Sequence, residues 1–268
     1  MGYVLALVTA ILLATSDTLV RRLFQREEGA GAREIVLVRL VCAAPVLLAL
    51  MPLVPAPPAE APFWVVVAIG TPLEILALVL YARALQVGSL STALPLLALT
   101  PVLLLVALGA WMLHLEQARL GWLAPLRALA RAPEARLMLA VAAIYAVTSA
   151  LGKRGVVLSS PGTMATYYFL AIVIVGVPVV MPHPRRLARV LRRRLWICAG
   201  LGVAFALHVL THMNAVALMP VAEMISVKRL SMLFAALAGV LLLGEPAPRG
   251  RLPGAAMMVA GAVWIGLA

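Results

Sequence analysis

The chain is poor in charge: only 12% of its 268 residues are Asp, Glu, Lys or Arg, about half the share carried by soluble domains. Together with 64% hydrophobic residues and a mean hydropathy of +1.07, this excludes a water-soluble globule. Cysteine is nearly absent. Cys42 and Cys198 each sit inside an apolar run, so there is no C-x-x-C zinc spacing and no disulfide framework, and both read as small core residues. There is no Walker loop, G-x-S-x-G elbow, H-E-x-x-H or paired acid of the glycosidase kind, which argues against ATP-driven transport by this chain alone and leaves no catalytic signature. The first apolar stretch follows Met1-Gly2-Tyr3 with no basic region before it and no small-x-small cleavage site, so it reads as a retained span.

What is present is basic charge, net +12, from 22 residues of which only Lys153 and Lys228 are lysines. The arginines lie mostly in short segments between apolar runs. That is the distribution of membrane topology signals and not of a nucleic-acid surface, so no nucleic-acid partner is expected. At roughly 20 residues per spanning helix, the length holds at most about ten spans and leaves no room for a soluble domain.

Apolar runs predict spans at about 3–24, 34–54, 63–85 and 91–115, with the proline-rich turn from Pro52 to Pro62 ending the second. Residues 117–134 differ. Arg119, Arg127 and Arg131 would be costly at membrane depth, and with Trp122, Leu123, Leu126 and Leu129 between them they suggest a basic interfacial linker around Pro125. Spans resume at about 135–158, 162–181, 195–218, 221–244 and 252–268. The expected fold is an all-α polytopic membrane helical bundle, with residues 1–116 and 135–268 forming two related halves of four and five visible spans.

The two halves share a grammar. Leu113-His114-Leu115-Glu116 closes the fourth span as Leu242-Leu243-Gly244-Glu245 closes the eighth, and Arg83-Ala84-Leu85 before Gly88-Ser89 falls opposite Val216-Ala217-Leu218 before Pro220-Val221. A span, a Pro or Gly break, then a long span ending in Gly-Glu and a Gly-rich last helix resembles the EamA-type branch of the drug/metabolite transporter superfamily. The stretch from Ser226-Val227-Lys228-Arg229 to Gly244-Glu245 strengthens the likeness. The resemblance implies two inverted five-helix repeats, ten spans, and a multi-pass solute carrier of the plasma membrane, a bacterial inner membrane by that likeness. The sequence departs from the pattern in lacking a fifth apolar run in the first half and in His114, where the family usually has Gly.

Basic connections occur at Arg21 to Arg33, in the linker, at Arg185 to Arg194 and at Arg249 to Arg251. Positive residues favour the cytoplasm. With ten spans and both termini outside, all four connections are cytoplasmic; with nine, the first falls opposite the rest.

Ionisable residues within spans are expensive, so each is a candidate for function. Glu74 and His208 lie near the middle of the third and seventh spans, matching positions in the two halves, at the depth where repeat-built carriers place substrate. Glu74 could exchange a proton against a cationic or zwitterionic solute; alternatively it bonds backbone freed near Pro72. Asp17 and Arg39 sit at similar depth on adjacent spans and could form a buried ion pair. His208 and His212, spaced i, i+4, share one face with Asn214 nearby. They could ligate a metal, but no further ligand in that span supports one, and no metal or cofactor is expected. Lys228 and Arg229 are too deep for loop charges, and one of them is expected to face the cavity, pairing with Glu223 or attracting an anionic group. Tyr145, Thr148, Ser149, Tyr167 and Tyr168 are candidate hydrogen-bonders or helix-packing residues, while Arg83, Glu116 and Glu245 read as span-end residues.

A secondary carrier, not an enzyme, is the leading reading. Its partners are a small metabolite or amphipathic solute and the lipid bilayer, and a homodimer stays open as an assembly. The alternatives are an intramembrane lipid-modifying enzyme using His208, His212 and Glu223, and a carrier-derived scaffold that no longer transports.

Overall fold

The computed structural model describes residues 1–27, 30–88, 132–181 and 184–245, with single residues 253, 256, 257, 260 and 264 beyond them. The expected span at 91–115, nearly all of the linker and almost all of 252–268 lie outside the described residues. All regular structure among the described residues is helical. Seven helices are long and apolar enough to cross a membrane: α1 (Gly2–Arg26), α2 (Ala32–Leu50, extended by a 3-10 turn to Leu53), α3 (Ala61–Val87), α4 (Pro133–Leu158), α5 (Pro161–Val180), α7 (Leu195–Leu218) and α8 (Val221–Leu243). Between α5 and α7 lies a ten-residue helix, α6 (Pro184–Arg193). The segment from Arg185 to Arg194, expected as a loop, is therefore mostly helical: Leu187 and Val190, three apart, are both buried and give it an apolar stripe to fold on.

Local chemistry sets the ends. Proline stands in the first turn of α3, α4 and α5, where its missing N–H costs nothing. The Gly31 N–H that precedes α2 donates to the Glu34 carboxylate at 3.1 Å, and Ser160 before α5 accepts from the Thr163 N–H at 3.1 Å. Gly244 ends α8 in the left-handed region at φ 66°, with the Glu245 N–H returning to the Gly239 carbonyl at 3.0 Å. A glycine fits there because a Cβ would be strained, which accounts for the Gly-Glu signature at the span end.

Packing is that of a protein in lipid. Large apolar side chains such as Val65, Ile69, Ile174, Val179 and Leu241 are exposed, while Asp17, Glu34, Arg39 and His208 are buried. The helix α1 lies along α7 and α8, α3 along α4, and α2 against α7 and α5. At the α2–α7 crossing a Cβ on Gly202 would come within 2.3 Å of the Cys42 carbonyl carbon, so glycine lets the two backbones meet.

The helices alternate between two faces. On one, Arg21 at the end of α1 reaches the Leu85 carbonyl at the end of α3 and Glu245 after α8, Arg194 reaches Glu27, Arg186 reaches Glu34, and Gly88 abuts Glu134. On the other, Gly2 meets Met219, Thr163 donates to the Pro55 carbonyl, and Gly162 meets Val54. Arg21, Arg26, Arg33, Arg136 and the arginines of α6 thus belong to one face, opposite the Pro52–Pro62 turn.

Candidate functional site

A cavity of about 410 Å³ opens between α1, α2, α3, α4, α5, α7 and α8, within the size range of small-molecule sites. Each helix contributes at a depth set by its sequence. Glu74 is the central residue of α3, and His208 lies near the centre of α7. Both line the cavity, together with Asp17, Arg39, Tyr145, His212 and Lys228. Seven of the eight site residues proposed from sequence therefore meet in one place.

The eighth does not. Asn214 donates from its side chain to the Leu210 carbonyl of its own helix at 2.8 Å and does not line the cavity. Two residues beyond His212, it is rotated about 200° around the helix from that face. Glu223 is also placed elsewhere, where it accepts from the Tyr3 hydroxyl at 2.6 Å near the outer ends of α1 and α8. Lys228 makes no ion pair with Glu223, one of the two roles expected for whichever of Lys228 and Arg229 faced the cavity, and the grouping of His208 and His212 with Glu223 loses its carboxylate. Lys228 instead lies in electrostatic range of Glu74 and Asp17. Both Lys228 and Arg229 line the cavity, where one of the two was expected. Tyr168 lines it as well; Tyr167 does not.

Asp17 and Arg39 approach to 3.6 Å and are both buried. The Tyr81 hydroxyl donates to the other Asp17 oxygen at 2.6 Å. Arg39 also stands over the Phe205 ring, 5.2 Å from its centroid. The buried pair is thus held by a phenol and an aromatic face as well as by charge.

From Phe205 an aromatic column climbs α7. His208 stacks on Phe205 at 6.5 Å between centroids, and His212 on His208 at 5.8 Å. The His208 Nδ1 pairs with the Thr9 carbonyl at 3.2 Å, whereas the buried His212 Nδ1 has no hydrogen-bond partner among the described residues. Among those residues, no group of three His, Cys, Asp or Glu is placed to hold a metal ion.

Two irregularities in the helices coincide with the cavity. The start of α5 is π-helical at Met164–Tyr168, delivering Tyr168, and α8 is interrupted at Arg229, beside Lys228. Such bulges mark places where a helix departs from its regular bonding to present a side chain. A Cβ on Gly70 would lie 2.7 Å from the Tyr168 hydroxyl, so the missing side chain on α3 makes room for that phenol.

Sequence reading missed Tyr81, Lys153, Phe169 and Phe205. Tyr81 sits seven residues after Glu74 and Lys153 eight after Tyr145, two helical turns in each case and so on the same face. That spacing was the available signal. The Lys153 ammonium donates to the Val216 carbonyl at the end of α7, at 2.6 Å.

The cavity thus runs from the middle of α3 and α7 toward the adjoining ends of α7 and α8, is walled by aromatic rings, and is lined by four basic side chains (Arg39, Lys153, Lys228 and Arg229) against two carboxylates. The half of the chain that supplies α4, α5, α7 and α8 matches the model of the EamA-like transporter family over residues 133–267. The chain belongs to that family. No curated protein matches the sequence. An EamA-like protein is a membrane transporter of the drug/metabolite type, whose setting is the bilayer and whose cargo is a small solute. The match covers the broken helix α8 with Lys228 and the Gly-Glu end at Gly244 and Glu245.

Proposed function

We propose that this protein is a secondary carrier of the plasma membrane that moves a small metabolite or amphipathic solute by alternating access through the cavity. One observation carries the reading: Glu74 and His208, near the centres of the third spanning helix of each half, line the same cavity. Repeat-built carriers bind cargo at the repeat interface near the midplane, often beside interrupted helices. Here α8 supplies the interruption, and Lys228 beside it lines the same cavity as Glu74. Glu74 is positioned to trade its proton against cargo, with His208 as the second titratable group and the aromatic wall holding an apolar portion of the solute.

The test is solute-dependent proton flux in liposomes containing the purified chain and a pH-sensitive dye. Wild type is expected to acidify or alkalinise the lumen on addition of a transported solute, and Glu74→Gln to abolish the signal while solute binding persists. An unchanged flux in Glu74→Gln would remove proton coupling. Alternating access is tested separately with a single cysteine at Ser149, in a chain whose Cys42 and Cys198 are replaced by alanine. An impermeant maleimide should reach it from either side; labelling from one side only overturns the carrier reading.

A further inference from the structure

The helix α6 has no part in the cavity. Its sequence, PRRLARVLRR, holds five arginines and no acidic residue, and Arg194 follows directly. Leu187 and Val190 bury its apolar stripe against the bundle, and the helix contacts α2 and α7. Two of the six arginines turn toward acidic partners: Arg186 to Glu34 at 3.8 Å and Arg194 to Glu27 at 2.7 Å. The remaining four, Arg185, Arg189, Arg192 and Arg193, are exposed, line one shallow concavity, and make no ion pair among the described residues. Their spacing of i, i+4, i+7 and i+8 places them on one side of the helix. Four like charges on one stripe repel one another unless an anion lies among them.

The neighbouring surface defines what kind of anion fits. Beyond Arg194 come Leu195 and Trp196, which are 57% and 87% exposed, and before the helix Val179 is 68% exposed. An exposed Trp at the end of a span marks the level of the lipid headgroups. Guanidinium groups at headgroup depth, flanked by an exposed apolar wall, suit a ligand with a phosphate at one end and hydrocarbon at the other. Arginine matches phosphate oxygens with paired N–H donors. The concavity also lies on the basic face, which charge asymmetry assigns to the cytoplasm, the side where anionic lipids supply about 1 kcal/mol of attraction per basic residue.

We infer that α6 is a binding site for anionic phospholipid headgroups of the cytoplasmic leaflet, with Arg185, Arg189, Arg192 and Arg193 as the headgroup contacts. This site is independent of the cavity, and its test does not rely on transport.

The experiment titrates the detergent-purified full chain with dioctanoyl phosphatidylglycerol, dioctanoyl phosphatidylcholine or inorganic phosphate, reading bound ligand by native mass spectrometry. Phosphatidylglycerol should bind about tenfold more tightly than phosphatidylcholine. The R189Q/R193Q variant should lose most of that preference, R189K/R193K should keep part of it, and R83Q/R136Q, which removes the same charge from exposed positions elsewhere on the basic face, should keep all of it. Thermal unfolding of each variant confirms that it is folded. Equal binding of the two lipids, or an undiminished preference in folded R189Q/R193Q, overturns the proposal. Inorganic phosphate displacing phosphatidylglycerol at equal concentration overturns it too, because the site would then read a bare anion and not a lipid.

Discussion

Arg21 and Glu245 lie 224 residues apart and join the ends of α1 and α8 at 2.9 Å, the carboxylate being almost wholly buried. The same guanidinium donates to the Leu85 carbonyl at 2.8 Å, so one side chain ties α1, α3 and the end of α8 together. Glu245 was expected as a span-end residue at the interface. It closes the basic end of the bundle because the left-handed turn at Gly244 swings it back toward α1.

Breaking that clamp should be felt from either side. We expect Arg21→Ala and Glu245→Ala to lower thermal stability by similar amounts, and a double-mutant cycle to give a coupling of about 0.5–3 kcal/mol. Additive losses would mean that the two side chains act independently.

The buried Asp17–Arg39 pair predicts an asymmetry between its partners. Asp17→Asn leaves Arg39 buried without its counter-charge and should cost about 3–5 kcal/mol. Tyr81→Phe removes only a hydrogen bond and should cost about 1–3 kcal/mol. Unfolding in detergent, followed by circular dichroism, ranks the two; a larger loss for Tyr81→Phe would show that the phenol, and not the charge pair, anchors the site.

Glycine substitutions on one helix separate crossing contacts from helix propensity. A Cβ on Gly202 would meet Cys42 backbone atoms at 2.3 and 2.4 Å, whereas on Gly200 the nearest atom within reach is a Leu19 methyl carbon at 3.5 Å. Gly202→Ala is therefore expected to destabilise by about 3 kcal/mol or more through overpacking. Gly200→Ala should be neutral, or stabilising by up to about 1 kcal/mol. Equal effects on the melting temperature would contradict the close α2–α7 crossing.

The two faces of the bundle predict opposite labelling. With Cys42 and Cys198 replaced by alanine, a cysteine at exposed Glu60 in the proline-rich turn should react with an impermeant maleimide in intact cells. One at exposed Ala188 in α6 should react only after the cells are opened. The reverse pattern would place the arginine face outside.

Apolar runs of spanning length are enough to make this a helical membrane protein and to set the depth of its polar residues. Span length and hydropathy are local properties, and Glu74 or His208 can be placed at mid-membrane by counting residues from a helix end. Resemblance at Ser226 to Glu245 carried the family, which the match over residues 133–267 shows. Which of those polar groups meet depends on how the helices pack. Periodicity describes the faces of a helix but not how the helix is turned against its neighbours, and that rotation comes from close crossings such as Gly202 on Cys42. It sends Asn214 back to its own backbone, draws Glu223 to Tyr3 and brings Tyr81 to Asp17. The pairing of Arg21 with Glu245 likewise exists only once α1 and α8 lie side by side, because no local interaction links positions so far apart in the chain.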